Sequence, residues 1–569
     1  MKHLKKRIIS ILLVAVMAIS LMACGDKTGT VNEVQSNDGQ SNEVQPNGGE
    51  EKEALTTIKL LSKRTTLGSD QSNVDISTFD SDDSYCMYNE YKKRIAEVGV
   101  TLEVETVENE QLDTVISTRL ASGKDLPDFI NMDNFSAVDI NKFGEDGIIV
   151  DYLDLFKKYD EDGSIVAFLN EYFPDFLPCA STEDGKLYTI PWLNADKWVG
   201  TDDDFEFTGN ALGILIRGDW LEKVGIEYKP IVTTDEFKQI MVAFREKDAN
   251  GNGVEDEVIA LDPTQLGWSK GLSFPFGFNK FVTYNADRQK LSCLWYEKEA
   301  AKAYITWVQE LIDAELFDMS IVGSKDVAST LLTGNRAGAV GDMLTAPWLD
   351  PQVPDENACY LPIIISSDYG TYTNANGRHL SYNGGYAVPA NCDHLEAVVK
   401  FLDFYFTYDD TIWRRYGIDG DFSKVDETGY WTILPAEEQT GVALIPNLGQ
   451  IEDAGGIFRT SIATKKRSDY VEYTTNEIHN GFLAQVFDRS IDFEILDNDI
   501  PMASLTSKEM EKLSEIENDL KSYMEEVLAK LILKQYSLDE FDEYVAEMDG
   551  LGLKEYVDIY QARIDRYNK

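Results

Sequence analysis

Apolar and polar positions follow two different periods along this chain, and the switches between them mark its elements. Residues 58–61 and 100–107 read as strands, and residues 128–130 as a shorter third one. An amphipathic stretch at 88–98 lies between the first two. A helix at 108–120 follows the second and stops at Gly123. Residues 213–217 form another strand, with helix starts at 219–221 and 234 and then a ten-residue polar loop at 248–257. Residues 298–317 carry apolar side chains near every third or fourth place, as a half-buried helix does. Within 329–342 the turn Thr333-Gly334-Asn335-Arg336 feeds a strand of small residues, and 386–389 lead into a helix at 395–406. Helices at 507–533 and 553–566 close the chain, the first with Ser507 as N-cap and Glu509 in its first turn. Strands and helices alternating at these lengths predict α/β layers with a partly parallel sheet.

The 569 residues are too many for one core and predict two or more lobes. A content of 43% hydrophobic and 11% aromatic residues is that of a soluble globular body. Residues 1–23 stand apart. Lys2, Lys5, Lys6 and Arg7 precede an apolar run at 8–22, too short for a comfortable membrane span and followed by Leu21-Met22-Ala23-Cys24-Gly25. This is the layout of a signal peptide. Leu-Met-Ala-Cys resembles the bacterial lipobox, whose cysteine becomes the lipidated first residue; an ordinary signal peptide with a chance cysteine is the alternative. Residues 24–56 repeat Asn-Glu-Val-Gln at 32–35 and 42–45 amid Ser, Asn and Gly, and read as a disordered acidic and polar tether. Such a tether spans on the order of 30 Å.

Removing the four basic residues of 1–23 takes the formal net charge from −48 to −52. So acidic a surface disfavours nucleic acid and anionic lipid as partners and suits solubility outside the cell. The cysteines, Cys24, Cys86, Cys179, Cys293, Cys359 and Cys392, form no CxxC pair and so no zinc framework or dense disulfide scaffold. A single long-range bridge among the last five stays open.

The loop at 248–257 is crowded with oxygen ligands. With Asp248 as position 1, Asn250 falls at 3, Asn252 at 5, Gly253 at 6, the carbonyl of Val254 at 7 and Asp256 at 9. These are the offsets of an EF-hand-type Ca²⁺ loop, with glycine at the sharp turn. The Glu of position 12 is missing, since Ile259 stands there, and Glu257 is the substitute. A plain polar turn is the alternative. The missing Glu points to a structural site rather than a switch.

Catalytic motifs are sparse. His3, His379, His394 and His479 are scattered, and there is no GxSxG, HExxH or phosphate loop. A hundred acidic residues always supply two carboxylates for a glycosidase, but no motif positions a pair. The chain is therefore expected not to be an enzyme.

Several landmarks stand in a familiar order. They are Leu120-Ala121-Ser122-Gly123 running into Leu126-Pro127-Asp128-Phe129-Ile130, the segment 185–191, Arg217-Gly218-Asp219-Trp220-Leu221, the helix start at 234–237 and the loop at 248–257. Tyr416-Gly417-Ile418-Asp419-Gly420 and Ala562-Arg563-Ile564-Asp565-Arg566-Tyr567 follow. From about residue 57 onward the chain resembles the extracellular solute-binding protein family 1, the substrate-binding lipoproteins of bacterial ABC importers. It is most similar to their large oligosaccharide-binding branch, which includes alginate-oligosaccharide-binding proteins. The resemblance implies an α/β, two-lobed periplasmic-binding-protein-like clamshell of type II, each lobe a sheet flanked by helices, with extra C-terminal helices. The expected division is an N-lobe of 57–195 plus 330–385 and a C-lobe of 196–329 plus 386–569. It also implies a monomer, anchored to the membrane by lipid on Cys24, that passes an oligosaccharide or related solute to ABC permease subunits. A secreted carbohydrate-active enzyme or glycan-adhesion lipoprotein is the alternative, and a peptide receptor or sensor partner a lesser one. In that branch the corresponding loop binds a structural Ca²⁺, which carries over to Asp248, Asn250, Asn252, the Val254 carbonyl, Asp256 and Glu257.

A sugar cleft needs flat apolar faces for the pyranose ring and polar groups for its hydroxyls. Trp192, Trp198, Trp268 and Trp348 lie in loop-like stretches and are the candidates, against simple packing. Arg64 and Arg217 follow strand-like runs, where a cleft edge would lie. Arg217 is either a contact for sugar hydroxyls or the buried partner of an acid, with Asp219 and Asp256 favouring the second. Asp219 reads equally as an N-cap or a ligand contact. Trp220 and Trp307 are expected in the core, and Arg336 in solvent.

Overall fold

The computed structural model describes residues 55–63, 65–67, 72–74, 86–191, 193–198, 211–267, 271–285, 289–324, 327–343, 349–375, 384–416, 420, 423–425, 431–434, 438, 460–463, 476–487, 490–497 and 502–569. Residues 1–54, which carry the signal-peptide, Cys24 and most of the tether expectations, lie outside that set. Residues 54–569 form one compact unit.

Two large sheets organise this unit. The first has four strands in the order Tyr386–Ala387, Phe129–Asn131, Thr56–Lys63, Val100–Val107. Thr56–Lys63 runs parallel to both of its neighbours, and Tyr386–Ala387 is antiparallel to Phe129–Asn131. Parallel neighbours need a crossover. The helix Asn109–Ser122 carries the chain from Val100–Val107 past Thr56–Lys63 to Phe129–Asn131, ending where Gly123 turns to φ +63° and donates its N–H to the Arg119 carbonyl. Successive strand residues point to opposite faces. Ile58 and Leu60 therefore join one core with Phe129, Tyr152 and Phe401, while Leu61 and Ile130 join another with Leu112 and Ile116. Helices cover both faces, which is why these strands are apolar on both sides.

The second sheet has nine strands among the described residues. Ala211–Arg217 lies inside it, antiparallel to Tyr360–Ser367 on one side and Ala337–Met343 on the other. Gly338 permits the close fit, since a Cβ there would lie 3.0 Å from Met241 and Phe244. On one face Ile214, Ile216 and Ile363 share a core with the helices Thr234–Glu246, Lys298–Asp313 and Ser507–Ile532. Trp220 and Trp307 are buried in it.

The sheets correct the expected division into lobes. Ala337–Met343, Tyr360–Ser367 and Gly370–Ala375, expected in the first lobe, belong to the second sheet. Tyr386–Ala387 and the helix Leu395–Tyr405, expected in the second lobe, pack with the first. The reason is strand pairing: the buried small-residue strand finds its partner at 211–217, and the chain crosses back only after residue 375.

One boundary also differs. The N-cap of Ser507–Ile532 is Thr506, whose hydroxyl accepts from Glu509 N–H while the Glu509 carboxylate accepts from Thr506 N–H.

Candidate functional site

The oxygen-rich loop grows out of a well-anchored helix. Thr233 and Glu236 form a capping box at the start of Thr234–Glu246, and Phe237, Ile240, Met241 and Phe244 fix its inner face. Beyond its end Asp248, Gly251 and Gly253 take left-handed φ values of +47°, +74° and +82°, curling the chain tightly. The loop then returns through Glu257 into Val258–Ile259, paired in parallel with the strand starting at Ala337. Both ends are thus held by the core of the second lobe.

Inside the loop, oxygens converge. Asp248 Oδ2 accepts from Gly253 N–H at 2.9 Å, and its buried Oδ1 has no hydrogen-bond partner. Asn250 and Asn252 accept through their Oδ1 atoms from Asn252 and Val254 N–H, at 3.0 and 2.7 Å. Asp256 Oδ1 accepts from the side-chain amides of both asparagines, at 2.9 and 3.0 Å. Glu257 has no exposed surface; its carboxylate accepts from Asn250 N–H at 2.9 Å and Asp256 N–H at 3.2 Å. Burial pushes its pKa above the ordinary value. A buried carboxylate oxygen with no donor, beside a second buried carboxylate, is costly unless a cation completes it. The donors are all oxygen, which suits Ca²⁺ rather than zinc or copper. Residues 248–257 fit the ion.

A second acidic group brings Asp160, Asp162 and Asp403 within 4.8 Å of one another. There Asp160 is occupied with Gly163, Ser164 and Ile165 N–H at the start of the helix Ser164–Tyr172.

Arg217 lies 0% exposed at the end of its strand. Its Nε and Nη2 fork onto the two Asp219 oxygens, both at 2.8 Å, and Nη1 donates to Asn335 Oδ1 at 2.6 Å. Asp355 stands 3.6 Å away and the guanidinium lies over the Trp220 ring at 4.2 Å. Burial works against its charge, but the Asp219 hydrogen bonds and charge outweigh it and raise the pKa. Arg217 is thus the buried partner of an acid, with no surface to offer a sugar. Asp219 is not an N-cap: that position is Arg217 itself, without a side-chain cap bond.

Arg336, expected in solvent, is half-buried and bridges Asp256 at 2.9 Å to Asp318 at 3.2 Å. Arg64, Trp192, Trp268 and Trp348 lie outside the described residues. Trp198 ends the strand Leu193–Trp198, which runs parallel to Thr460–Ala463. Among the described residues, Cys179, Cys293, Cys359 and Cys392 form no disulfide.

A cluster that sequence reasoning passed over surrounds the chain crossings. Ile190 and Tyr386 exchange N–H···O=C bonds of 3.1 and 3.0 Å, tying the segment that leaves the first sheet to the one that returns. Asp133 accepts from Gly385 N–H at 2.9 Å, and Ser62 Oγ lies 2.9 Å from the Tyr386 hydroxyl. These groups stand at the carboxyl ends of Thr56–Lys63 and Phe129–Asn131, the edge where α/β sheets present their ligands. The adjacent Gly384-Gly385 was the available signal.

Residues 87–411, more than half of the chain, match the bacterial extracellular solute-binding protein family, and the chain belongs to it. FusA, a fructooligosaccharide ABC transporter substrate-binding protein of Streptococcus pneumoniae serotype 4, is 25% identical over 480 residues, 78% of this chain and 81% of that protein. Lipoprotein LipO of Bacillus subtilis strain 168 is 26% identical over 281 residues, 46% of this chain and 51% of its own. A solved S. pneumoniae FusA, an EF-hand mutant in complex with fructo-nystose, shares the fold with a TM-score of 0.64 at 20% identity, covering 90% of this chain and 99% of that one. Alginate-binding protein AlgQ2, solved without calcium ion, does so with a TM-score of 0.64 at 19% identity, covering 90% and 98%. FusA and AlgQ2 are named as binding proteins.

Proposed function

We propose that this chain is a lipid-anchored, extracytoplasmic receptor that closes its lobes on an oligosaccharide and delivers it to the permease of an ABC importer. The observation that carries this is the match to a fructooligosaccharide-binding protein along four-fifths of that protein's length, within a solute-binding family. Cys24 is the lipidation site, and the mature protein works as a monomer without nucleic acid. Trp192, Trp198, Trp268, Trp348 and Arg64 are the candidate cleft groups, and Arg217, buried against Asp219, is not among them. Closure follows from differential affinity: the sugar binds the closed arrangement better than the open one, and the population moves accordingly.

The loop at 248–257 holds a structural Ca²⁺. Asp248, Asn250, Asn252, the Val254 carbonyl, Asp256 and Glu257 are the groups that hold it. When bound, the ion supplies fixed positive charge to buried carboxylates. The chain's own part is to keep those oxygens converged, which the capping box, the two glycines and the Val258 pairing do.

The test is a thermal-shift screen over defined neutral and anionic oligosaccharides, run with calcium and with chelator, with a reducing-sugar assay alongside. One oligosaccharide class stabilises the protein, by about 2.7 kcal/mol at a hundredfold excess over its dissociation constant. No reducing sugar is released, and chelator lowers the melting temperature. Release of reducing sugar would move the chain to the carbohydrate-active enzymes, and indifference to every oligosaccharide would remove the sugar reading. Equal melting with and without chelator, in protein shown to be metal-free, would remove the calcium.

A further inference from the structure

The turn ahead of Ala337–Met343 is gripped from two sides. Asn335, at φ +54°, is held by Arg217, whereas Arg336 reaches the opposite way, into the oxygen-rich loop. Its Nε lies 2.9 Å from Asp256 Oδ2 and 3.3 Å from the Asp256 carbonyl, and its Nη1 lies 3.2 Å from Asp318 Oδ2. Asp318 is itself fixed, its Oδ1 accepting from Ser320 N–H at 3.2 Å and Ser320 O–H at 2.7 Å. The Arg336 carbonyl accepts from Val258 N–H at 2.9 Å, so backbone and side chain both join the turn to the exit of the loop.

Asp256 is the shared partner. Its Oδ1 takes the amides of Asn250 and Asn252, and its Oδ2 takes the guanidinium. Every one of these contacts brings positive or partly positive charge to the carboxylate, so this arm of the loop is closed by the protein alone. Asp248 has less help: the Gly253 N–H serves its Oδ2, but its buried Oδ1 is left without a donor. The two acids at the ends of the loop therefore differ. One is paired with a resident guanidinium, and the other keeps an oxygen without a donor.

We infer that Arg336 is a positioning residue for the calcium loop: a built-in cation that keeps the loop folded without metal and competes with the metal for Asp256. The inference rests on the calcium reading above. A fixed guanidinium on a metal ligand stabilises the metal-free loop more than the loaded one, because in the loaded loop it also repels the ion. By linkage, the excess that Arg336 adds to the metal-free form over the loaded one is subtracted from calcium affinity. The loop is then a weak, always-folded support rather than a segment that folds on calcium. That suits a chain in which the loop leads directly into the edge strand Val258–Ile259, paired with the inner strand Ala337–Met343.

The experiment uses full-length chain freed of metal by chelator. CaCl₂ alone is titrated calorimetrically into wild type, Arg336→Gln and Arg336→Lys, and melting is recorded with chelator and with excess calcium. Arg336→Gln is expected to bind calcium about tenfold more tightly and to lose more melting temperature in chelator than in calcium. Arg336→Lys, which keeps the charge but not the fork, returns the affinity toward wild type. Asp318→Asn serves as the second variant should Arg336→Gln fold poorly: it frees Arg336 to press harder on Asp256 and weakens calcium binding severalfold. Unchanged or weaker calcium binding in Arg336→Gln, with equal melting losses in both conditions, makes the ion pair purely structural and overturns the inference. Wild type that takes up no calcium overturns the calcium reading itself, and this inference with it.

Discussion

A guanidinium with no exposed surface is tolerable only where its charge and its donors are matched. Arg217 meets that condition through both oxygens of Asp219, with Asn335 and the more distant Asp355 completing the surround. Removing one side of such a pair is worse than removing both, because the survivor stays buried and uncompensated. Asp219→Ala is therefore expected to cost about 3–5 kcal/mol in urea unfolding. The double variant Arg217→Met, Asp219→Leu should recover much of that loss. A single-variant cost within about 0.5 kcal/mol, as at an ordinary surface site, would show that the pair is not what holds the strand end. The candidate site was legible where its parts were neighbours in the chain. Asp248 to Glu257 stand within ten residues, so spacing alone exposed the loop. Arg217 stayed ambiguous because Asn335 lies 118 residues away, and Arg336 read as solvated because Asp256 lies 80 residues before it. Periodicity carries no information about such pairs.

At the scale of elements, the helix Ser507–Ile532 shows how a local rule and a distant contact meet. Thr506 and Ser507 both make good caps, but only Thr506 stands three residues before Glu509, the spacing that lets both backbone donors be satisfied. Sequence chose the neighbour because either hydroxyl fits the composition. Arg566, from the last helix, then forks onto Glu509 at 2.6 and 2.7 Å and reaches the Ser504 carbonyl at 2.9 Å. Burial alone would raise the Glu509 pKa, but the Arg566 and Thr506 hydrogen bonds prevail and hold it below its ordinary 4.5. A carboxyl depressed by folding stabilises the protein above its unfolded pKa, and that contribution disappears as pH falls through the folded value. Glu509→Gln should thus be less stable than wild type at pH 7, and the gap should close as the solution is acidified well below pH 4.5. A gap independent of pH would mean that packing, not charge, makes the difference. Most helices were legible because their apolar stripes are local. The assignment of 337–375 to a lobe was not, since a buried strand of Ala and Gly pairs with a partner more than a hundred residues earlier and nothing in its own pattern names that partner.

At the scale of the whole molecule, function depends on how two cores are joined. The C-terminal helices belong to the core of the second sheet, yet Tyr567 donates to Asp175 and the Asn141 side chain contacts Met510 Sδ at 2.9 Å, both reaching the first lobe. The chain crossings are joined more tightly. Gly384 and Gly385 hold φ values of +93° and +82°, and a Cβ on Gly385 would stand 2.2 Å from the Ile190 carbonyl oxygen. The crossings can lie edge to edge only because no side chain separates them. The proposed closure would load this seam, where Asp133 and the Ile190–Tyr386 bonds tie the crossings to the first sheet. Gly385→Ala therefore meets both the strain of left-handed backbone and the clash, and should force the segments apart. Its far-ultraviolet circular dichroism should stay close to wild type, because the clash falls beside the two-residue edge strand Tyr386–Ala387 rather than on a long element. Small-angle scattering is the deciding measurement. Wild type should shrink on saturation with the oligosaccharide found in the screen, while Gly385→Ala should shrink less and bind it more weakly. Full compaction at unchanged affinity would show that the crossings merely connect the lobes and that the pivot of closure lies elsewhere.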